Sequence, residues 1–161
     1  MAKASSETIS EAGDFKVDEV SITTSTGLVV DLLGYVMHIT FFESIETATI
    51  TGNILLSDYV NLVAIGPIIG QEFIKIKLRT PGLQSDSLKG NIDFTENLLV
   101  VTSMKTREPL GNGLQGVLLE FTSAEMLKNE RTKLNRSYEG TCSELFKKIM
   151  RSDLDCTKEL F

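Results

Sequence analysis

The hydrophobic period of this chain changes once, at Thr122, and this change constrains the fold more than any other feature of the sequence. Before it, apolar residues alternate with polar ones or form β-branched runs, which is typical of strands. After it, apolar residues recur with the period of an amphipathic helix, at Cys142, Leu145, Phe146, Ile149 and Met150. Strands followed by helices, without alternation, predict an α+β, mainly β fold.

Five to seven strands are expected before the change. Residues 28–42 are predicted as one long strand, because their β-branched and aromatic residues are weak helix formers. Its polar residues do not alternate cleanly, so the strand is expected either to be covered on both faces or to have a bulge near Gly34. Residues 71–80 alternate most cleanly, and Pro81-Gly82 is expected to end that strand. The other strand-like segments are residues 20–24, 47–56, 91–106 and 116–121.

Three helical segments are predicted. Residues 59–65 are expected to form one turn that ends at Gly66-Pro67. Two longer helices follow the strands. Thr122 and Glu125 have the spacing of a capping box, and Thr141 and Glu144 repeat it. The stripe behind Thr141 predicts that the second of these helices packs one apolar face against a core.

A chain of 161 residues is long enough for one domain with an appendage. Its net charge of −6 disfavours a sequence-reading nucleic-acid binder. Nine of the 22 acidic residues lie in the first 60 positions, beside two of the 16 basic residues. The acidic character therefore belongs to the first part of the chain. Residues 1–11 lack the apolar region of a signal peptide, and no membrane span is expected.

Several chemical motifs favour an ordinary structural interpretation. Gly111-Asn-Gly113-Leu-Gln-Gly116 matches a dinucleotide-binding loop, but a strand-like segment follows it, and Asn112-Gly113 is a strong hairpin signal. His38 is the only histidine and lacks a partner for a zinc site or a triad. Cys142 is expected in the core, and Cys156 at the surface or in helix packing. No catalytic residue, metal site or cofactor is expected.

Three stretches, in this order, carry a family resemblance. The first runs from Asp31 to Asp58 and includes Phe41-Phe42-Glu43-Ser44. The second is Gly66-Pro-Ile-Ile-Gly-Gln-Glu-Phe followed by the alternating strand to Gly82. The third is residues 136–150. Together they resemble the baseplate hub protein of contractile-tailed bacteriophages, whose relatives include the N-terminal part of the type VI secretion spike.

The resemblance implies a tail-tube-like β-barrel followed by two amphipathic helices. Residues 1–15 would then be a flexible arm, residues 16–122 the barrel, and residues 123–161 a helical segment that starts or links to a further hub domain. A trimeric hub forms a ring of pseudo-sixfold symmetry. The ring joins the tail tube to the central spike and leaves a channel through which DNA passes. The expected location is the baseplate of the virion, assembled in the host cytoplasm.

The expected partners are therefore other copies of the chain in a trimer, the tail tube protein, the central spike protein and other baseplate proteins. DNA would pass without being bound specifically. Interface residues are predicted from the apolar strand end and the proline loop: Phe41, Phe42, Ile45, Pro67, Ile68 and Ile69. A core role for these residues is an equal alternative. Acidic residues that face a channel would avoid the phosphate backbone, and the candidates are Asp31, Glu43 and Glu46.

Two other functions stay open. A tail tube or tube-initiator subunit would share the fold, although a minimal tube protein does not need the helices after Phe121. A small cytoplasmic enzyme using Cys142 or His38, or a binding module, belongs to a different class. Glu43 and Glu46 are close enough in sequence to pair for acid–base catalysis, but a solvated face is the simpler interpretation of the two acids. The size of the native assembly distinguishes these functions.

Overall fold

The computed structural model describes residues 15–47, 49–58, 61–85, 88–111 and 114–156. Within them the fold is mainly β, with eight strands followed by a helical segment. The strands are β1 (Lys16–Thr23), β2 (Val29–Asp31), β3 (Val36–Phe42), β4 (Thr51–Asp58), β5 (Phe73–Ser85), β6 (Leu88–Asp93), β7 (Leu99–Gly111) and β8 (Leu114–Ser123).

The helices are short. They are α1 (Leu62–Ile65), α2 (Ala124–Arg131) and α3 (Cys142–Lys148), and a π-helical turn, Ile149–Asp153, continues α3. Asp58 positions α1, because its carboxylate accepts a hydrogen bond from the backbone N–H of Leu62 at 2.8 Å. The helical turn expected before Gly66-Pro67 is therefore confirmed, as is the switch from strands to helices at the end of β8.

All the strands belong to one antiparallel sheet with the order β2-β1-β5-β7-β8-β4-β3, and β6 also pairs with β5. Among the described residues the sheet is open. Its edges are brought close by Phe41 on β3, whose ring lies 5.7 Å from that of Phe94 after β6 and 5.5 Å from that of Phe121 on β8. The mainly β class is confirmed, whereas closure into a barrel is not shown.

One buried cluster forms the core, with side chains from β1, β4, β5, β7 and β8. β4 alternates strictly between half-buried and buried positions, and β5 alternates in the same way from Ile74 to Arg79. The fully buried side chains include Ile22, Ile54, Ile74, Ile76, Leu99, Leu119 and Phe121. Gly52 on β4 leaves room for one of them. A Cβ there would lie 2.6 Å from the Phe121 ring and 2.3 Å from the carbonyl oxygen of Thr40.

Three strand predictions are wrong. The described residues form eight strands rather than the expected five to seven. Residues 28–42 do not form one strand, because a 3₁₀ turn at Leu33–Tyr35, which contains Gly34, separates β2 from β3. β5 does not end at Pro81-Gly82 but runs to Ser85. The pairing of β5 with β6 shifts register between Arg79 and Gln84, and such an irregularity tolerates a proline that cannot donate a hydrogen bond.

The helical predictions are confirmed in part. Thr141 and Glu144 form the expected capping box at the start of α3. The first expected box does not form, because Thr122 remains in β8, and its hydroxyl donates to the carbonyl oxygen of Ile50. The expectation that Cys142 lies in the core is wrong, since it is exposed. Cys156 is buried.

Candidate functional site

The loop between α1 and β5 is held by a buried carboxylate. Glu72 is completely buried, and its two oxygens accept three backbone hydrogen bonds. The donors are the N–H groups of Ile69 at 2.8 Å, Gly70 at 2.9 Å and Gln71 at 3.1 Å. Gly70 has a φ of 84°, a conformation that favours glycine. A carboxylate that accepts several N–H bonds fixes the backbone around it, so this loop is rigid.

This rigid loop displays apolar side chains rather than burying them. Ile69 is 59% exposed, and Ile65 and Phe73 on either side of it are also exposed. β7 runs beside the loop, because the N–H of Val101 donates to the carbonyl oxygen of Glu72 at 2.9 Å. Met104, further along β7, is exposed as well. We call Ile65, Ile69 and Phe73, the exposed apolar residues in and beside this loop, the loop patch. Several exposed apolar side chains on one loop favour an interaction site.

The structure divides the six interface candidates. Phe41 and Ile68 pack against the buried core. The remaining candidates, Phe42, Ile45, Pro67 and Ile69, are exposed. Ile45 is fully exposed, and Phe42 is 54% exposed. A core role therefore fits Phe41 and Ile68, whereas the other four candidates are accessible to a partner.

The four exposed candidates lie in two places. Pro67 and Ile69 belong to the rigid loop, whereas Phe42 and Ile45 lie where β3 ends and the chain turns back toward β4. Ser44 orders this second turn. Its hydroxyl accepts the N–H of Glu46 at 3.2 Å, and its carbonyl oxygen accepts the N–H of Thr47 at 3.2 Å. Both places present apolar side chains on defined backbone.

The three acidic candidates are all exposed. Asp31 has a structural contact, because its carboxylate accepts the N–H of Leu33 at 2.9 Å and so begins the 3₁₀ turn. Glu43 and Glu46 flank Ile45 in the turn after β3. The acids at this turn therefore accompany an exposed apolar side chain.

An apolar groove of about 500 Å³ lies between β3 and the paired strands β5 and β6. Apolar side chains from both sides line it, with polar groups at its margin: Phe15, Ile39, Phe41, Leu78, Arg79, Thr80, Gly90, Asn91 and Ile92. The groove marks the gap between two strands that each have an unpaired edge in the described sheet. Unpaired edges next to apolar surface favour association with another chain.

Two ion pairs join β5 to its neighbours β6 and β1. Lys77 Nζ lies 2.9 Å from the Asp93 carboxylate, and Arg79 Nε lies 3.0 Å from Asp18. The hydroxyl of Thr95 donates to Asp93 at 2.6 Å. This hydrogen bond, together with those from Lys77 and the backbone N–H of Thr95, lowers the pKa of Asp93 to about 2. The hydrogen bond from Lys77 to Asp93 raises the pKa of Lys77. These pairs suit a solvated face.

The chemical motifs singled out in the sequence do not meet in a site. β7 and β8 pair antiparallel on either side of the glycine-rich segment, and Gly111 pairs with Leu114. A strand therefore follows the glycine motif where a dinucleotide site needs a helix; the hairpin tip at Asn112-Gly113 lies outside the described residues. His38 is exposed on β3. Within the described ranges, no group of histidine, cysteine and acidic residues is arranged to hold a metal ion.

Two features escaped the sequence-based prediction. The first is Glu72, which comes just before an alternating strand. The only signal in the sequence is Gly70, because a turn there allows the Glu72 carboxylate to fold back onto the loop. The helix stripe was predicted as core, yet Cys142 is exposed and Phe146 is 51% exposed. In the described part of the chain, no helix has the length and apolar character that a membrane crossing requires.

Comparison with protein-family models finds none that matches this chain, and comparison with curated proteins finds no significant match.

Proposed function

We propose that this chain is a structural subunit of a phage baseplate or tail-tip hub. It would form a ring that joins the tail tube to the central spike and leaves a channel for DNA. The observation that carries the proposal is the loop patch. There the buried carboxylate of Glu72 accepts three backbone hydrogen bonds that hold the loop, while the apolar side chain of Ile69 is exposed. A rigid apolar display lowers the entropic cost of binding a partner.

The open sheet supports the same proposal. β3 pairs with β4, and β6 pairs with β5. The apolar groove separates β3 from the β5–β6 pair. A ring of subunits covers unpaired edges and apolar surface that a lone chain exposes to aggregation. The mainly β class is also the class that the tail-tube-like barrel requires, and in the proposed assembly the barrel and the ring would be completed together.

The mass of the native assembly tests the proposal. Light scattering and native mass spectrometry would be recorded on the purified chain, alone and with candidate tube and spike proteins. A trimer, or a trimer that forms only with the spike, is the expected result. Hexamers or open stacks would instead favour the tail tube or tube-initiator function. A chain that stays monomeric at all concentrations and with both partners would contradict the hub proposal.

A variant links the test to the loop patch. Ile69→Asp places a charge at an exposed position, so we expect the fold to persist while assembly weakens at least tenfold. Leu28→Asp introduces the same charge at another exposed apolar position and serves as the matched control. Equal assembly of both variants and the wild type would remove the loop patch from the proposed interface.

A further inference from the structure

The helical segment exposes an apolar surface that the sheet does not use. In α3, Cys142 is exposed and Phe146 is half exposed, and they lie on one side of the helix, four residues apart. No residue of α3 is buried. We call Cys142, Phe146 and the adjacent Lys147 the basic stripe.

The segment that carries the basic stripe is held firmly. The Thr141–Glu144 capping box begins the helix. Tyr138 donates its hydroxyl to Asp153 at 2.9 Å, and Arg136 pairs with the same carboxylate. Lys128 of α2 donates to the carbonyl oxygen of Asp155 at 3.1 Å. The exposure of Phe146 is therefore a property of an ordered segment.

Two exposed cationic side chains, Lys147 and Lys148, lie on this helix. Asp153 of the same segment is paired with Arg136 and accepts the hydroxyl of Tyr138. Glu144, at the start of the helix, accepts the N–H of Thr141 at 3.0 Å. By helical period Lys147 borders the apolar positions. The basic stripe thus combines a central aromatic ring with a cationic margin.

The turn after β3 has the complementary composition. Ile45 is fully exposed, Phe42 is half exposed, and Glu43 and Glu46 are exposed beside them. We call these four residues the acidic tip. Ser44 holds the turn through hydrogen bonds to the N–H groups of Glu46 and Thr47. Both surfaces have an apolar centre, and their marginal charges are of opposite sign.

We infer that the acidic tip of one copy of this chain binds the basic stripe of the next. The inference rests on the proposed ring and specifies one contact within it. Two different complementary surfaces on one chain make a head-to-tail contact, which generates a closed ring or an open stack rather than a symmetric pair. Burial of Ile45 and Phe146 supplies the affinity, and the charges orient the encounter.

The test uses one variant for each surface. Ile45→Asp disables the tip and leaves the stripe intact, and Phe146→Asp does the reverse. Each variant is expected to associate at least tenfold more weakly than the wild type in sedimentation velocity. A mixture of the two retains one intact tip and one intact stripe. It is therefore expected to form a dimer with one chain of each kind, seen by native mass spectrometry, and nothing larger.

A charge exchange provides a second test that does not depend on the fold tolerating Phe146→Asp. Glu43→Lys alone and Lys147→Glu alone are each expected to weaken association. The chain that carries both changes is expected to recover it, because the contact pairs the two positions across copies. Leu28→Asp is the control. Leu28 is also an exposed apolar residue and is remote from both surfaces in sequence, so this variant should associate like the wild type.

The outcomes separate this contact from the proposed function. Rings that persist in both single-surface variants would overturn the inference and leave the hub proposal standing. If the rings persist in these variants while binding of the tube or spike protein is lost, the surfaces belong to the contact with that partner. This result would also overturn the inference. A mixture that yields no mixed dimer would exclude head-to-tail contact. A wild-type chain that stays monomeric both alone and with the tube and spike proteins would overturn both proposals.

Discussion

The sheet and the helical segment treat their apolar residues in opposite ways. In the sheet, Ile54, Ile76 and Leu119 are completely buried, and each is held by strands that are distant in sequence. In the helical segment, no residue of α2 or α3 is buried, and Phe146 stays half exposed. The sheet thus satisfies its own hydrophobic pattern within one copy. The helical segment leaves two residues of its apolar stripe, Cys142 and Phe146, exposed, which is what an assembly surface requires.

The difference also predicts unequal stability. Side chains that fill a close-packed core contribute to the global free energy of unfolding, whereas exposed ones contribute little. Segments with few buried contacts open locally at lower free energy than the core. The following predictions test this contrast between the two regions.

The strongest test truncates one phenylalanine in each region. Phe121→Ala empties a buried site and removes the edge-to-face contact with Phe41, so we expect a loss of about 3–5 kcal/mol in the free energy of unfolding. Phe146→Ala, the matched change in α3, is expected to cost about 0.5 kcal/mol or less. Urea unfolding of the monomeric chain measures both. Equal losses would break the contrast.

Two glycines test how closely the sheet is packed. Gly52→Ala places a Cβ 2.3 Å from a backbone oxygen and against the Phe121 ring, so we expect a loss of about 3 kcal/mol. Gly34→Ala, in the turn between β2 and β3, meets nothing within 4 Å and should change stability by less than about 0.5 kcal/mol. Thermal unfolding compares the two. A tolerated Gly52→Ala would show that β3 and β4 can separate.

Glu72→Gln tests whether the loop patch has the rigidity of the sheet. An amide replaces one acceptor oxygen by a donor that faces backbone N–H groups, so we expect a loss of about 2 kcal/mol. Amide hydrogen exchange at Ile69, Gly70 and Gln71 should accelerate at the same time. Glu96→Gln, on an exposed turn, is the control and should leave both measurements unchanged. Unaltered exchange in Glu72→Gln would show that the carboxylate does not hold the loop.

The smallest effect concerns pH. Hydrogen bonds from Thr95 and Lys77 lower the pKa of Asp93 to about 2, so its stabilising contribution is complete above the ordinary carboxyl range and is lost as the pH falls from about 4 toward 2. Asp93→Asn should therefore lose less stability than the wild type over that window in urea unfolding. High salt should weaken only the stabilising contribution of the Lys77–Asp93 ion pair, and not that of the hydrogen bonds from Thr95. Parallel pH profiles for the two chains would contradict the prediction.

The cap of α3 offers the corresponding measurement in the helical segment. The backbone N–H and the hydroxyl of Thr141 lower the pKa of Glu144, so acid also weakens this cap. Carboxyl-carbon NMR that follows Asp93 and Glu144 through an acid titration reports the two regions separately. We expect the Glu144 signal to reveal local opening of α3 before the sheet unfolds.

The sequence by itself determined the class of the fold and most of its elements. Alternation in β5, the strand-to-helix switch after Phe121, and the Thr141–Glu144 cap are local patterns that the fold keeps, whereas the equally local Thr122–Glu125 pattern is lost because Thr122 remains in β8. The tertiary structure decided the rest. Pro81 lies within a strand because a register shift accepts it. Cys142 and Phe146 are exposed, and the buried cluster of the sheet does not include them. The burial of Glu72 is likewise decided by its loop, since a carboxylate enters a protein interior only where the fold supplies donors for it.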